Sequence, residues 1–215
     1  MDYSEYWSYY HDDLISQFGQ HLAVVLVATL LGAIIGTTAG IAVYRAPRAS
    51  EVVLKACGVF LTVPSLALYV LLLGVLGLGW PPVLTALTLY SLLPIVQNTI
   101  VGLRGVDATT VEAAAGIGMG RGWRLARVEF PMAWPVILAG IRVGALLLVS
   151  TAAIGAIVRG PGLGNAIYNG LNRIGTPSAL YSALTGMAGV VIVGLLLNGA
   201  FFVLAKLTIS RGLRD

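Results

Sequence analysis

The sequence predicts an all-α integral membrane protein with five transmembrane helices. Three observations carry this. Hydrophobic residues make up 58% of the chain and charged residues only 10%, the mean hydropathy is +0.90, and the apolar residues gather in several runs of about 20, the length that crosses a bilayer core. One membrane domain is the simplest account of 215 residues. The net charge of +4 would suit nucleic acid if the basic residues formed a stripe; they are spread over the loops, so no nucleic-acid partner is expected and the bilayer is the surroundings. A lone cysteine, Cys57, allows neither an internal disulfide nor a Cys-rich metal site.

Residues 1–20 form a predicted interfacial segment outside the membrane. Tyr3, Tyr6, Trp7, Tyr9 and Tyr10 are rings of the kind that prefer headgroup depth, and an aromatic cage for a quaternary ammonium group is the sharper reading of the same cluster. The segment has four carboxylates and no Lys or Arg, unlike the basic start of a cleaved signal, so the first apolar run is expected to remain as an anchor. That run, 21–43, places Gly32, Gly36 and Gly40 on one face, a seam that lets another helix approach closely.

The second span, 56–78, contains Thr62, Pro64, Ser65 and Tyr69, and the third, 83–103, contains Tyr90, Ser91, Pro94, Gln97 and Asn98. Proline removes a backbone donor, and nearby hydroxyls or amides can satisfy the carbonyl thus freed, so both spans are expected to be kinked. Their polar residues, with Ser150 and Thr151 of the fourth span, are the candidates for a translocation path; helix-helix hydrogen bonding is the alternative use. The fourth span is 135–158, a glycine-rich segment too short to cross follows, and the last span is 180–204, so the membrane domain covers 21–206 and leaves 207–215 as a tail.

Orientation follows from the basic residues. Arg45, Arg48, Lys55, Arg104, Arg121, Arg124, Arg127, Lys206, Arg211 and Arg214 fall on one side, against Arg159 and Arg173 on the other. The positive-inside rule puts the first set in the cytoplasm, with the N-terminus outside and the C-terminus inside. Arg142, inside the fourth span, is expected to snorkel to the cytoplasmic interface.

The carboxylates all lie outside the spans, whereas pumps and ion-coupled carriers hold ionisable groups at membrane depth. No GxxxxGK[ST] loop is present for nucleotide, GIGMGRG fails the dinucleotide pattern, His11 and His21 have no HExxH context, and there is no GxSxG elbow. Catalytic residues and a metal site are therefore not expected, and the driving energy should come from another chain. The loop 107–131 is the one long internal stretch too polar for lipid. Thr109 and Glu112 have capping-box spacing, so a short helix should start near Thr110; glycines at 116, 118, 120 and 122 break it, and a second short helix over 121–130 should carry Arg121, Arg124 and Arg127 close to one face. Glu112 would then cap its helix and the arginines would meet lipid phosphates, unless a partner covers this loop.

Glu112-Ala113-Ala114, three residues, Gly118, nine residues, then Val128-Glu129-Phe130-Pro131 resembles the EAA signature of ATP-binding-cassette importer permeases. Val128 and Phe130 are apolar replacements within that pattern. TVPSLALYVLL, LLPIVQNT, PVILAGIR and IGAIVRGPGLGNAIYNGL are similar to the osmoprotectant permeases for glycine betaine, choline, carnitine or proline, over about residues 60–175. The resemblance implies a multi-pass subunit of a prokaryotic cytoplasmic membrane. Its partners would be an ATP-binding-cassette ATPase dimer, a second identical or paralogous permease chain and an extracytoplasmic solute-binding protein. It implies a coupling helix in which Glu112 meets a basic group of the ATPase, Ala113 and Ala114 allow close approach and Gly118 makes the turn, with Arg121, Arg124 and Pro131 completing the loop. ATP and Mg would be bound by the ATPase and no cofactor by this chain. A methionine or other small-solute permease of the same superfamily remains an alternative, as do a secondary carrier and a purely structural subunit.

Overall fold

A computed structural model describes residues 2–209, and all regular structure among them is helical. The first helix, α1 (Tyr3–Val43), begins where Asp2 Oδ1 accepts the Glu5 N–H at 2.8 Å. It runs without a break through residue 20, so the aromatic segment and the first span are one 41-residue helix.

Prolines mark the helix starts, since a first-turn residue has no intrahelical use for its N–H. Pro47 opens α2 (Pro47–Thr62), Pro81 and Pro82 lie in the first turn of α4 (Trp80–Arg104), and Pro177 opens α9 (Pro177–Thr208). Between α2 and α3 (Ser65–Leu76) the chain bends by 97°. The expected kinked span is thus two helices. Pro64 stops the ladder, and the Val63 carbonyl takes the Tyr90 O–H at 2.8 Å instead. Among the described residues, four helices are long and apolar enough to cross a membrane, five if the bent pair counts as one span. Gly77 and Gly79, at φ of 77° and 96°, make the turn from α3 to α4.

The glycine seam works as its spacing suggests. A Cβ on Gly36 would stand 2.8 Å from Ile95 Cγ2 and one on Gly40 2.6 Å from Thr99 Cβ, so α1 and α4 touch backbone to side chain with no space for a larger residue. On the other side of α4 lies α7 (Phe130–Ile154), whose Gly140 abuts Asn98. These three helices, joined by Leu68, Tyr69, Val193 and Leu197, form the core. Buried His21 donates from Nε2 to the Val149 carbonyl at 3.0 Å, tying α1 to α7.

After a 3₁₀ turn (Gly155–Val158), the glycine-rich segment folds into α8 (Gly164–Asn172). Gln17 accepts the Ala166 N–H and Ser182 donates to the Ala166 carbonyl, which pins α8 between α1 and α9. The tyrosines close the same end. Tyr6 stacks on Tyr10 with centroids 4.9 Å apart, and Tyr3 meets Tyr181 edge-on at 5.6 Å. Of the predicted tail, 210–215 lies outside the described residues.

Candidate functional site

The polar loop hangs from the end of the bundle where α1 and α4 finish. Its first helix, α5 (Ala108–Gly116), is capped by Asp107, whose carboxylate accepts the Thr110 N–H at 3.2 Å. The helix therefore starts two residues earlier than the Thr109–Glu112 box predicts. That N–H bond, with the Thr109 hydroxyl, holds the Asp107 carboxyl below the usual range. At the other end Gly118 takes φ = 87°, and the Met119 N–H reaches back to the Ala114 carbonyl at 3.1 Å. This is the glycine-ended Schellman turn that closes a helix.

Glu112 and Ala113 face outward, and Ile117 is 80% exposed. No ion pair engages Glu112 among the described residues. Ala114 is turned inward and buried, so the two alanines do not share an outer surface.

The second half of the loop differs from the expected separate helix. A single turn, α6 (Arg121–Arg124), passes through a π-helical turn (Leu125–Glu129) directly into α7. Pro131 and Pro135 do not interrupt it; Pro131 follows the π turn, where the i−4 ladder is already broken, so its missing N–H costs little there. The same turn separates the three arginines. Arg121 is exposed, Arg127 lies over the Trp123 ring at 4.7 Å, and Arg124 turns inward.

Arg124 turns toward Glu129, which is only 3% exposed and holds the loop to the membrane helices. Its Oε2 accepts the Tyr44 O–H at 2.7 Å; its Oε1 accepts Arg45 Nη2 at 2.7 Å and Arg124 Nε at 3.1 Å. Arg104 continues the network, donating from Nε to the Tyr44 carbonyl at 2.6 Å and from Nη2 to Ser50 Oγ at 2.7 Å. Burial, and then the Glu129 carboxylate, push the Tyr44 hydroxyl pKa up to about 12, so it stays a donor at any physiological pH. One carboxylate thus joins the loop to the end of α1 and its link to α2, and Arg104 of α4 reaches the same corner through the Tyr44 carbonyl and Ser50. Sequence reasoning passed over it, because its partners Tyr44 and Arg45 are more than 80 positions away in the chain.

The path candidates divide into two groups. Tyr69, Tyr90 and Ser91 are buried, and their hydroxyls donate to the carbonyls of Thr151, Val63 and Thr88 at 3.0, 2.8 and 2.7 Å. Asn98 donates to the Pro94 carbonyl at 2.8 Å and Thr151 to Leu147 at 2.9 Å, both half-buried. Thr62, Gln97 and Ser150 are exposed, and Ser65 is half-buried. The structure does not gather the nine into one cavity.

Apolar helices long enough to span a bilayer, packed along glycine seams and carrying a polar loop that one buried carboxylate ties to the end of α1, define a multi-pass membrane protein. The chain belongs to the family of binding-protein-dependent transport system inner membrane components, whose model matches residues 17–211. It is 39% identical over 160 residues to the carnitine transport permease protein OpuCB of Listeria monocytogenes, covering 74% of this chain and 73% of that protein. It is 38% identical over 161 residues to the glycine betaine/carnitine/choline transport system permease protein OpuCB of Bacillus subtilis (74% of each). With OpuCD of the same B. subtilis system it shares 34% over 194 residues, 90% of this chain and 85% of that one. A solved structure, the MetNI methionine ABC transporter in inward-facing conformations, has a chain that superposes with a TM-score of 0.80 at 21% identity, covering 92% of this chain and 96% of that chain. That likeness is one of fold.

Proposed function

We propose that this chain is the permease subunit of an ATP-driven importer for osmoprotectants such as glycine betaine, carnitine, choline or proline. It works in the cytoplasmic membrane of a prokaryote with the loop inside and the N-terminus outside. One observation carries the coupling role: an exposed helix whose carboxylate, Glu112, has no ion pair among the described residues is joined through the Gly118 turn to a segment that Glu129 ties to the end of α1, where Arg104 of α4 also bonds. A partner that pulls on α5 moves those helices with it.

In this reading α5 docks in a groove of a separate ATPase, which binds the ATP and Mg. Glu112 meets a cation there, Ala113 and Ile117 form the apolar contact, and Ala114 and Gly118 shape the helix from behind. Arg121 borders the contact, Arg124 holds Glu129, and Pro131 starts the helix that moves. ATP closes the ATPase dimer, draws two such helices together and rocks this chain against a second permease, identical or paralogous, between inward- and outward-open states. A solute-binding protein supplies cargo at the outer face. Thr62, Ser65, Gln97 and Ser150 are offered to the path, while Tyr69, Tyr90, Ser91, Asn98 and Thr151 brace its wall. The ten-to-two charge asymmetry supports this orientation, and the named cargo of the relatives supports the solute class.

The test is uptake of the four solutes into liposomes holding the chain with its ATPase, second permease and binding protein. ATP-dependent uptake that requires the ATPase is the expected result. Uptake by this chain alone would replace the proposal with a secondary carrier, and exclusive uptake of methionine would reassign the solute.

A further inference from the structure

Arg142 is the one charge that neither the loop nor the positive-inside rule explains. The opposite side of α7 is the packed one: Gly140 lies against Pro94 and Asn98, and Gly144 against Ser91 and Ile95, while Arg142 is exposed. Those neighbours also give its depth. Arg142 stands level with the middle of α4, about 14 Å along that helix from its end at Arg104. Its partner Asn198 is about 15 Å from the end of α9 at Thr208. With those helix ends set at the edge of a hydrocarbon layer about 30 Å thick, Arg142 comes near its middle. The guanidinium accordingly does not reach for the basic end. Its Nε and Nη2 both donate to Asn198 Oδ1, at 3.0 and 2.6 Å.

That arrangement is incomplete. A guanidinium carries five N–H donors in a fixed fork, Asn198 is neutral, and no carboxylate pairs with Arg142 among the described residues. A cation at this depth is costly against lipid, and such residues face a bundle interior or a water-filled cavity. Here the packed interior is on the other side of the helix, so in the importer reading the exposed side faces the passage between the two permease chains.

We infer that Arg142, oriented by Asn198, lines the translocation passage at the bilayer midplane and takes the carboxylate of the passing solute. Asn198 occupies one edge of the fork and leaves another for a planar anion, which a guanidinium binds through paired N–H bonds. The inference rests on the importer reading and sharpens it. At this point in the passage a zwitterion bearing a carboxylate, such as glycine betaine or carnitine, is drawn in, whereas a bare quaternary ammonium such as choline meets only repulsion. Asn198 is a positioning residue in this account; Arg142 is the contact.

Two measurements on the complete complex in liposomes test it. First, a cysteine at Arg142, on a Cys57→Ala background, should react with a membrane-impermeant charged thiosulfonate during turnover. Reaction with an apolar maleimide alone would place it against lipid or a partner helix and overturn the inference. Second, Arg142→Gln should slow glycine betaine uptake roughly 10- to 100-fold, the range for losing a charge-assisted hydrogen bond. Choline uptake should rise as the repulsion is removed, so the ratio of glycine betaine to choline uptake should fall while the binding protein still stimulates ATP hydrolysis. Arg142→Lys should restore part of the rate, and Asn198→Leu should weaken glycine betaine uptake with less effect on choline. An equal loss for both solutes, or a matching loss of ATP hydrolysis, would mark Arg142 as structural and overturn the inference. If the parent complex imports neither solute, the osmoprotectant reading fails, and the labelling result alone decides whether Arg142 faces water.

Discussion

Glu129 shows how much one side chain can do at the end of a helix bundle. Three donors from two separate regions converge on it, and Arg45, its shortest-range basic partner, is itself 42% exposed. Glu129→Ala would leave Arg124 uncompensated in a half-buried place. The expected cost is about 2–3 kcal/mol, below the 3–5 of a fully buried pair because Arg45 keeps its water, read as a lowered unfolding midpoint in detergent. Tyr44→Phe, which removes one neutral donor, should cost about 1 kcal/mol. Glu112 has the opposite profile. Its Lys variant should fold and assemble normally yet abolish coupled uptake, and unchanged uptake in an assembled complex would sink the coupling-helix proposal. At Gly118 a β-branched side chain meets φ = 87°, so Gly118→Val should cost about 1–3 kcal/mol locally, seen as faster hydrogen exchange over 108–119. Asp107 adds a pH dependence with a definite sign. Its lowered pKa means the cap is in place above the ordinary carboxylate range and is lost as pH falls through the lowered value.

Among the elements, the glycine face of α1 was legible from spacing alone, because glycines four apart must share a helical face, and the fold supplied α4 as its partner. Gly40→Leu should force the helices apart at Thr99, where even a Cβ would stand 2.6 Å away. An overpacking cost of about 1–3 kcal/mol or more is expected, measured as loss of assembled complex after mild heating. The loop was legible as polar, glycine-broken and helical, and its details were not. Asp107 displaced Thr109 as the cap because capping depends on which carboxylate reaches the free N–H groups. The π turn absorbed the proline that reads as a stop. Pro64, by contrast, reads as a kink and produces a 97° break, since the Val63 carbonyl has an outside donor in Tyr90 and the ladder need not resume in line.

For the whole molecule, the orientation is the property most directly open to experiment. A cysteine at Ile117, 80% exposed on the loop, should be labelled by an impermeant reagent only from the cytoplasmic side, and one at Tyr9 only from outside; the reverse pattern would invert the proposed topology. Membrane residence, the number and order of apolar runs, the glycine seam and the EAA spacing follow from the sequence by itself, because hydropathy and helical periodicity are local and need no partner. Which side chains meet across the fold was decided only by the tertiary structure. Tyr44 and Glu129 are 85 positions apart, and Arg142 and Asn198 are 56 apart. Nothing in the text of either neighbourhood names the other; the helices bring them together. The same packing sends Tyr69, Tyr90 and Ser91 inward to bind carbonyls and leaves Arg142 outward, midway along α7. In a helix buried on one side, a residue's face and depth depend on its neighbours, which a linear sequence does not list.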